Sequence, residues 1–347
     1  MNSKTKLLEL TSIFVIVSFF QATSLHSQST VSTPIVGFQK VDVGVGLNAV
    51  GFPLLNNDLL KVSATSLTSN ALSLSGQSNV GALLTAGEPY YIEVYSGTLK
   101  GDRFDVDTAA TKSSSNDSVI LSSSSSNNTY PVSSISSQLN GQTIALRKHT
   151  TLEQIQAMSQ TAMTGNNTAA NADQIQLYSS SGLTFTTYFL RADGVTWRGS
   201  TTGTVSQNKV AVPPGTGVFI KKASASGSLV STGTVRENDF ALPMTSGLQL
   251  LAPAFPISYS PSGLGGTAAN GWTGNNTSAN ADQIQIYNNS AGNFTTYFLR
   301  ADGSTWRGST TGTVDQKNTL IVSDNAGFFV KRSASDANNV LVNPIAP

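Results

Sequence analysis

The sequence predicts a mostly β protein made of three related antiparallel units, sandwich- or barrel-like, with one or two short helices. Short apolar runs separated by Gly, Asn, Ser and Pro follow one another along most of the chain, which is typical of β-strands joined by turns. One long segment occurs twice, nearly letter for letter, and a more distant third copy lies upstream. Self-similarity at this spacing indicates repeated structural units.

The close repeat pairs Thr164–Val205 with Thr273–Val314 without gaps, and eight of the 42 positions differ. Most of these differences fall between Ser179 and Thr184, where a turn is expected. The block from Thr186 to Val205 has one change, Val195 to Ser304. The two copies are therefore expected to share one fold.

The unit boundaries follow from strands that open and close each unit in a similar way. Similar opening strands occur at Gly46–Leu54, Gly141–His149 and Gly247–Phe255. Apolar runs preceded by a Gly- or Asn-containing loop lie at 90–92, 218–220 and 328–330. We expect β units at 28–120, 129–236 and 237–347, with 121–128 as a Ser/Asn-rich linker or surface loop.

Two segments carry helix signals. Thr150 is placed to cap a helix with Glu153 at its third position, and Leu152, Ile155 and Met158 fall on one side. A weaker helix signal covers Asp58–Val62.

The N-terminus is typical of a secretory signal peptide. Lys4 and Lys6 precede an apolar run from Leu7 to Phe20, and small residues follow. We expect cleavage after Ser27, so that residues 1–27 are removed, with cleavage after Ser24 as the second choice. An uncleaved anchor is the alternative, but the apolar core is short for a span of about 20 residues. The expected location is secreted or cell surface, with the periplasm left open, and no later segment is expected to span a membrane.

Composition narrows the classes of function. Charged residues make up 11% of the chain and the net charge is +1, which gives no reason to expect a nucleic-acid partner. The chain has no cysteine, so thiol nucleophiles, Cys-ligated zinc and Fe–S clusters are excluded. We expect no cofactor.

The duplicated block reads as a β-hairpin. Asp193-Gly194 predicts a two-residue type I′ turn, which sets Leu190 opposite Trp197 and Phe189 opposite Arg198. Alternation then places the Trp on an apolar face and the Arg on a polar face. The second copy predicts the same division.

The aromatic and basic residues of these hairpins have two interpretations. Trp197 and Trp306 either pack in the core or, with Arg198 and Arg307, form sugar-binding platforms. Trp272, in a Gly/Asn-rich loop, is expected to be the most exposed of the three tryptophans. Exposure of the repeated aromatic residues discriminates the two interpretations.

The carboxylates recur between the copies without forming a recognisable catalytic pattern. Asp193 and Asp302 fit turn formation, and Asp173 and Asp282 fit loop capping. Asp173 and Asp282 are also weak calcium candidates, although the spacing matches no EF-hand loop. His149 stands alone after signal removal and no Gly-x-Ser-x-Gly motif is present, so we expect no catalytic residues.

The signal peptide, the opening GLNAVGFPL, the Trp-containing hairpin and the closing PPGTGVFIKK together resemble an uncharacterised family of exported verrucomicrobial β-repeat proteins. That resemblance covers most of the mature chain and implies export and architecture, with no assigned activity. We expect a non-enzymatic protein with a structural or adhesive role at or outside the cell surface. Carbohydrate binding through the repeated Trp/Tyr/Arg hairpins is the alternative. The partners expected are further copies of the chain or an extracellular polysaccharide.

Overall fold

The computed structural model describes residues 34–114, 116–200, 203–242, 244–308, 312–334 and 339–344. The expected signal peptide lies outside these residues. The described chain is mostly β and antiparallel, which confirms the predicted fold class. Among the described residues, no helix has the length and apolar character needed to cross a membrane.

The strands, in chain order, are β1 Val36–Val43, β2 Gly46–Val50, β3 Asp58–Thr68, β4 Ala71–Leu74, β5 Tyr90–Val94, β6 Arg103–Val106, β7 Ser118–Ile120, β8 Thr143–Lys148, β9 Thr150–Thr151, β10 Gln174–Ser179, β11 Thr184–Leu190, β12 Trp197–Gly199, β13 Ala211–Val212, β14 Val218–Lys222, β15 Gly227–Thr234, β16 Phe240–Ala241, β17 Gly247–Leu251, β18 Gln283–Asn288, β19 Asn293–Leu299, β20 Trp306–Gly308, β21 Phe328–Arg332 and β22 Val340–Leu341. Two α-helices occur in the described residues, α1 Thr108–Ser114 and α2 Leu152–Ala157.

Helix α2 begins one residue later than the sequence predicts. Thr151, rather than Thr150, caps it by accepting a hydrogen bond from the Gln154 backbone N–H, and the Gln154 side chain accepts from the Thr151 backbone N–H. This reciprocal pair is a capping box. The weaker prediction of a helix at Asp58–Val62 is wrong, because that segment belongs to strand β3. The side chains there alternate between exposed and half-buried, as a strand requires.

Three larger sheets organise the molecule. Sheet I has six strands in the order β6-β5-β8-β3-β4-β7, sheet II has five in the order β12-β11-β10-β14-β2, and sheet III has five in the order β17-β21-β18-β19-β20. Sheets II and III contain the two copies of the close repeat, and each lays an apolar face on its own core.

The opening strands of the first two repeats are exchanged between sheets. β2 pairs with β14 in sheet II, although it precedes sheet I in the chain. β8, expected to open the second unit, instead pairs with β5 in sheet I. In the third repeat, β17 pairs locally with β21. Strand pairing thus crosses the boundary expected between 28–120 and 129–236, and sheet I is an insertion within the chain that forms sheet II.

The Ser/Asn-rich segment 121–128 is a surface loop held against β6. Ser125 Oγ and Asn127 Nδ2 both donate to the Asp105 carboxylate, at 2.6 and 2.8 Å. Asn128 Oδ1 accepts from the Asp105 backbone N–H at 2.7 Å. One aspartate therefore organises the loop.

Sheet I is fastened to the rest of the chain by buried charges. The Glu93 carboxylate, fully buried on β5, pairs with Arg236 and with Arg147, whose Nε lies 3.7 Å away. Two guanidinium groups lie over the Phe240 ring, that of Arg103 at 4.0 Å and that of Arg236 at 4.5 Å from the ring centroid. These contacts join the inserted sheet to the segment that leads into the third unit.

Asp102, between β5 and β6, is a buried carboxyl at this junction. It is 4% exposed, and its Oδ1 has no hydrogen-bond partner among the described residues. Burial raises the pKa of Asp102 to about 7, although Arg103 and a hydrogen bond with Thr129 act in the opposite direction.

Raising the pH from about 5 to about 8 is expected to destabilise the chain through Asp102. The folded state keeps this proton up to about pH 7, whereas the unfolded chain releases it near pH 4. The stability contribution is complete below about pH 4 and is lost as the pH rises to about 7, so about 3 kcal/mol disappears between pH 5 and pH 8. Urea unfolding of the wild type and of Asp102→Asn at both pH values measures it. The variant should lose this pH dependence. An equal change in the free energy of unfolding between the two pH values in both proteins would contradict the assignment.

Candidate functional site

The duplicated hairpin has the predicted register and a different turn. Tyr188 pairs with Gly199, Phe189 with Arg198 and Leu190 with Trp197, as predicted. The loop is longer than two residues, because the Arg191 N–H bonds the Thr196 carbonyl at 2.9 Å and the Gly194 N–H bonds the Arg191 carbonyl at 2.9 Å. Gly194 has a φ of 72°, but Asp193 is not among the described non-glycine residues with positive φ. A type I′ turn requires positive φ at both central residues, so that prediction is wrong.

Asp193 and Asp302 serve these turns through their side chains. Asp193 Oδ1 accepts from the backbone N–H groups of Val195 and Thr196, at 3.0 and 2.9 Å. These hydrogen bonds, led by that from Val195, lower the pKa of Asp193 to about 2. Hydrogen bonds led by that from Thr305 lower the pKa of Asp302 to about 2 in the same way. Both carboxylates therefore act as turn formers, as the sequence suggested.

Trp197 and Trp306 lie in the cores of sheets II and III, each with no exposed surface. Trp197 Nε1 donates to Gln156 of α2 at 2.7 Å, and Trp306 Nε1 donates to the Gly266 carbonyl at 2.6 Å. Their rings are closed to a bound sugar, so the structure favours the packing interpretation at these two positions.

The expectation that Trp272 is exposed is wrong. It is 2% exposed, packs edge-on against Trp306 with 5.4 Å between ring centroids, and lies 4.4 Å from the Arg332 guanidinium. In the third unit, Leu264 and Trp272 contribute to the core as Leu152 and Ile155 of α2 do in the second. Trp272 directly precedes its repeat as Met163 does in the other copy, and both side chains belong to their unit's core.

The calcium candidates Asp173 and Asp282 are fully buried and paired with basic residues. Asp173 pairs with Lys222, and Asp282 with Arg332, whose Nε lies 2.8 Å from Oδ2. Each carboxylate also accepts backbone hydrogen bonds, from Thr164 and Ala223 in one copy and from Thr273 and Ser333 in the other. In each unit, a buried ion pair therefore joins the residue before β10 or β18 to the last residue of β14 or β21. Within the described residues, no cluster of three or more His, Asp or Glu side chains could hold a metal ion.

Sequence reasoning missed these ion pairs, although a signal was present. The strands VFIKK and FFVKR each place a basic residue at a position that alternation points inward. A charge at a core position requires a partner, and a repeated aspartate is the natural one. His149 was also left without a role. It is buried, and its Nε2 lies 2.8 Å from Asp105 Oδ1.

Sheets II and III meet through the face opposite their cores, at what we call the aromatic end. It consists of one set of rings and its copy: Tyr178, Phe185 and Phe219, with Tyr287, Phe294 and Phe329. Tyr178 contacts Phe329 edge-on at 5.3 Å, and Tyr287 contacts Phe219 edge-on at 5.1 Å. Phe219 and Phe329 contact each other at 6.2 Å. The two copies are thus related by a pseudo-twofold arrangement.

Backbone contacts repeat this pseudo-twofold relation. Thr216 bridges Leu251, and the equivalent Ala326 bridges Val50. Gly217 lies so close to the facing strand that an added Cβ would sit 2.4 Å from the Leu251 carbonyl oxygen. A glycine is required at this point because two backbones meet.

Two clefts at the rim of this contact differ in size. One, of about 510 Å³, is lined by Asp42–Val45, Asn48, Gly227 and Asn289. Its counterpart, of about 160 Å³, is lined by residues that include Tyr178, Ser180 and Gln249. Asn289 Nδ2 donates to Asn48 Oδ1 at 3.0 Å in the larger cleft, so one unit's turn is tied to the other unit's opening strand.

The same face of each sheet continues into what we call the arginine end. In sheet II it consists of two adjacent rows of side chains that run across the strands. The first row is Arg198, Phe189, Gln174 and Lys221, and the second contains Thr187 and Gln176. In sheet III the copies are Arg307, Phe298, Gln283 and Lys331, then Thr296 and Gln285. Directly paired residues of antiparallel strands share a face. The structure therefore brings Arg198 and Arg307 to equivalent half-buried positions, away from the buried tryptophans.

Comparison of the chain with protein-family models, with curated proteins and with solved structures found no match.

Proposed function

We propose that the protein is an exported, non-enzymatic structural or adhesive protein acting at or outside the cell surface. One observation carries the proposal: the large aromatic side chains of the two copies pack within or between sheets II and III. Trp197 and Trp306 fill the cores, and the aromatic ends join sheets II and III. Repeated units that pack directly against each other are typical of proteins that build a rigid surface. The signal peptide expected at residues 1–27 supports export, and the resemblance to exported β-repeat proteins points the same way.

Carbohydrate binding is the second candidate, and the arginine ends favour it. Arg198 and Arg307 are half-buried on a face that carries amides and hydroxyls. Because the tryptophans are buried, such binding would depend on these polar side chains rather than on stacked indole rings.

The proposal is tested by expressing the full chain in a bacterial host that exports proteins by the general secretory route. We expect the chain in the medium or at the cell surface, beginning at Gln28 by N-terminal sequencing. Val15→Asp with Val17→Asp, which interrupts the apolar run, is the matched control and should be retained inside the cell. Retention of the unmodified chain in the cytoplasm would reject export.

Adhesion and catalysis are then measured on the exported protein. Beads coated with it should bind cell walls or polysaccharide films better than albumin-coated beads, while a panel of glycoside and peptide substrates should remain intact. Turnover of any substrate at a rate proportional to protein concentration would replace the structural interpretation with an enzymatic one.

A further inference from the structure

Arg198 and Arg307 differ from three of the buried arginines in having no ionic partner. Among the described residues, neither has an ion pair, and the Nε of each is buried without a hydrogen-bond partner. Three buried guanidinium groups face carboxylates, Arg147 and Arg236 at Glu93 and Arg332 at Asp282. A fourth, Arg103, donates to the Gly101 and Ala241 carbonyls. A half-buried cation loses hydration, and an anion that binds it recovers part of that cost. The same unpaired group occurs in both copies, so it is a repeated feature of the fold.

The surroundings of each arginine are polar and cationic. Lys221 lies in the same cross-strand row as Arg198, three strands away, which is about 14 Å between backbones. Buried Phe189 and Gln174 lie between them, with half-buried Gln176 and Thr187 beside, and no acidic residue occupies either row. Lys221 Nζ donates to the Ala170 carbonyl at 3.2 Å and Gln174 Nε2 to the Ala169 carbonyl at 2.7 Å, so both groups are held by a neighbouring turn. Gln176 donates to Gln174 Oε1 at 2.9 Å, an interaction repeated by Gln285 and Gln283 at 2.7 Å. Each arginine end therefore presents one guanidinium beside a half-buried glutamine and threonine, with a second cation held by a turn at its far side.

We propose that the two arginine ends are equivalent binding sites for an acidic polysaccharide, with Arg198 and Arg307 each pairing with a carboxylate or sulfate group. A guanidinium presents donors in a planar fork that matches either anion. Glutamine and threonine donate to and accept from sugar hydroxyls. A polymer that repeats one anionic unit can engage both sites, which raises its apparent affinity above that of a single site. This inference rests on the proposed adhesive function and names its partner.

The test is isothermal titration calorimetry of the purified chain with four probes. An oligogalacturonate and a dextran sulfate supply the carboxylate and the sulfate, and methyl-esterified oligogalacturonate and dextran are their neutral counterparts. We expect binding of at least one acidic probe with two sites per chain for short oligomers, and weaker binding at higher salt. Equal binding of the neutral counterparts would overturn the proposal. So would equally tight binding of a single-stranded DNA oligonucleotide of matched length, which would show a general polyanion surface.

Variants locate the sites. Arg198→Gln and Arg307→Gln should each weaken one of the two sites at least about tenfold and leave the other unchanged, and the double variant should weaken both, because each substitution loses a charged hydrogen bond. The matched control is Lys40→Gln with Lys100→Gln, which removes the same charge at exposed ion pairs elsewhere. Arg198→Lys with Arg307→Lys keeps the charge without the fork and should bind with intermediate affinity. Unchanged binding in the Arg-to-Gln double variant would overturn the proposal.

The adhesion assay separates this inference from the function on which it rests. If wild-type beads adhere and double-variant beads adhere equally well, the arginine ends are not the binding surface while the adhesive role stands. If wild-type beads fail to adhere, the adhesive role itself is rejected.

Discussion

Replacing Asp282 with alanine is expected to lower the free energy of unfolding by about 3–5 kcal/mol, because the change leaves a buried charge without its partner. Arg332 is 2% exposed and would keep its positive charge against the Trp272 ring, 4.4 Å away. The backbone N–H groups of Thr273 and Ser333 would also lose their acceptor. Chemical denaturation followed by far-UV circular dichroism measures the loss.

Two further variants show that charge burial is the cause. Asp42→Ala removes a carboxylate from an exposed ion pair with Lys40 and should change stability by less than about 1 kcal/mol. Asp282→Ala combined with Arg332→Met removes both charges and should recover much of the loss, because a buried pair is often replaceable by apolar side chains. A double variant as unstable as the single one would show that the ion pair is not the reason for the effect.

Replacing Phe329 with alanine is expected to cost about 3–5 kcal/mol, the usual loss for a large aromatic residue removed from a packed site. Phe329 is 4% exposed and contacts Tyr178, Phe219 and Phe294 at the aromatic end. The loss should weaken the contact between sheets II and III, so unfolding by calorimetry should broaden or divide into two transitions. Phe219→Ala should behave in the same way, since it is the copy of this residue.

Phe38→Ala is the control for the aromatic end. Phe38 is 68% exposed, and its truncation should change stability by no more than about 0.5 kcal/mol. A double-mutant cycle between Phe219 and Phe329 should give a coupling energy of about 0.5–1.5 kcal/mol. Strict additivity would mean that the two rings stabilise their own sheets without joining them.

The sequence predicted local structure well where alternation and pairing are encoded within one hairpin. The Phe189–Arg198 and Leu190–Trp197 pairs follow from the period of a strand. The turn was misassigned because Asp-Gly occurs in more than one type of loop. Here the Asp193 backbone does not have positive φ, and its carboxylate accepts hydrogen bonds from two backbone N–H groups.

Long-range relations could not be predicted in the same way. The opening strands β2 and β8 have similar sequence patterns, so neither pattern indicates which closing strand pairs with it. The burial of Trp272 depends on its contacts with Trp306 and Arg332, which the Gly- and Asn-rich sequence around it does not indicate. Arg198 and Arg307 were identified as candidates from the sequence, and the predicted register already placed them on the face opposite Trp197 and Trp306. The structure confirms that division.

The exchange of opening strands determines which strand pairings become possible first as the chain is made. β2 leaves the ribosome early, but its partner β14 lies beyond the whole inserted sheet I. β5 and β8, in contrast, meet as soon as Lys148 has emerged. The inserted sheet can therefore close first, while the strand that precedes it stays unpaired until more than half of the chain has been made. A ribosome that stalls between β8 and β14 would hold one finished sheet and one open edge strand, which is a substrate for chaperones or for a neighbouring chain.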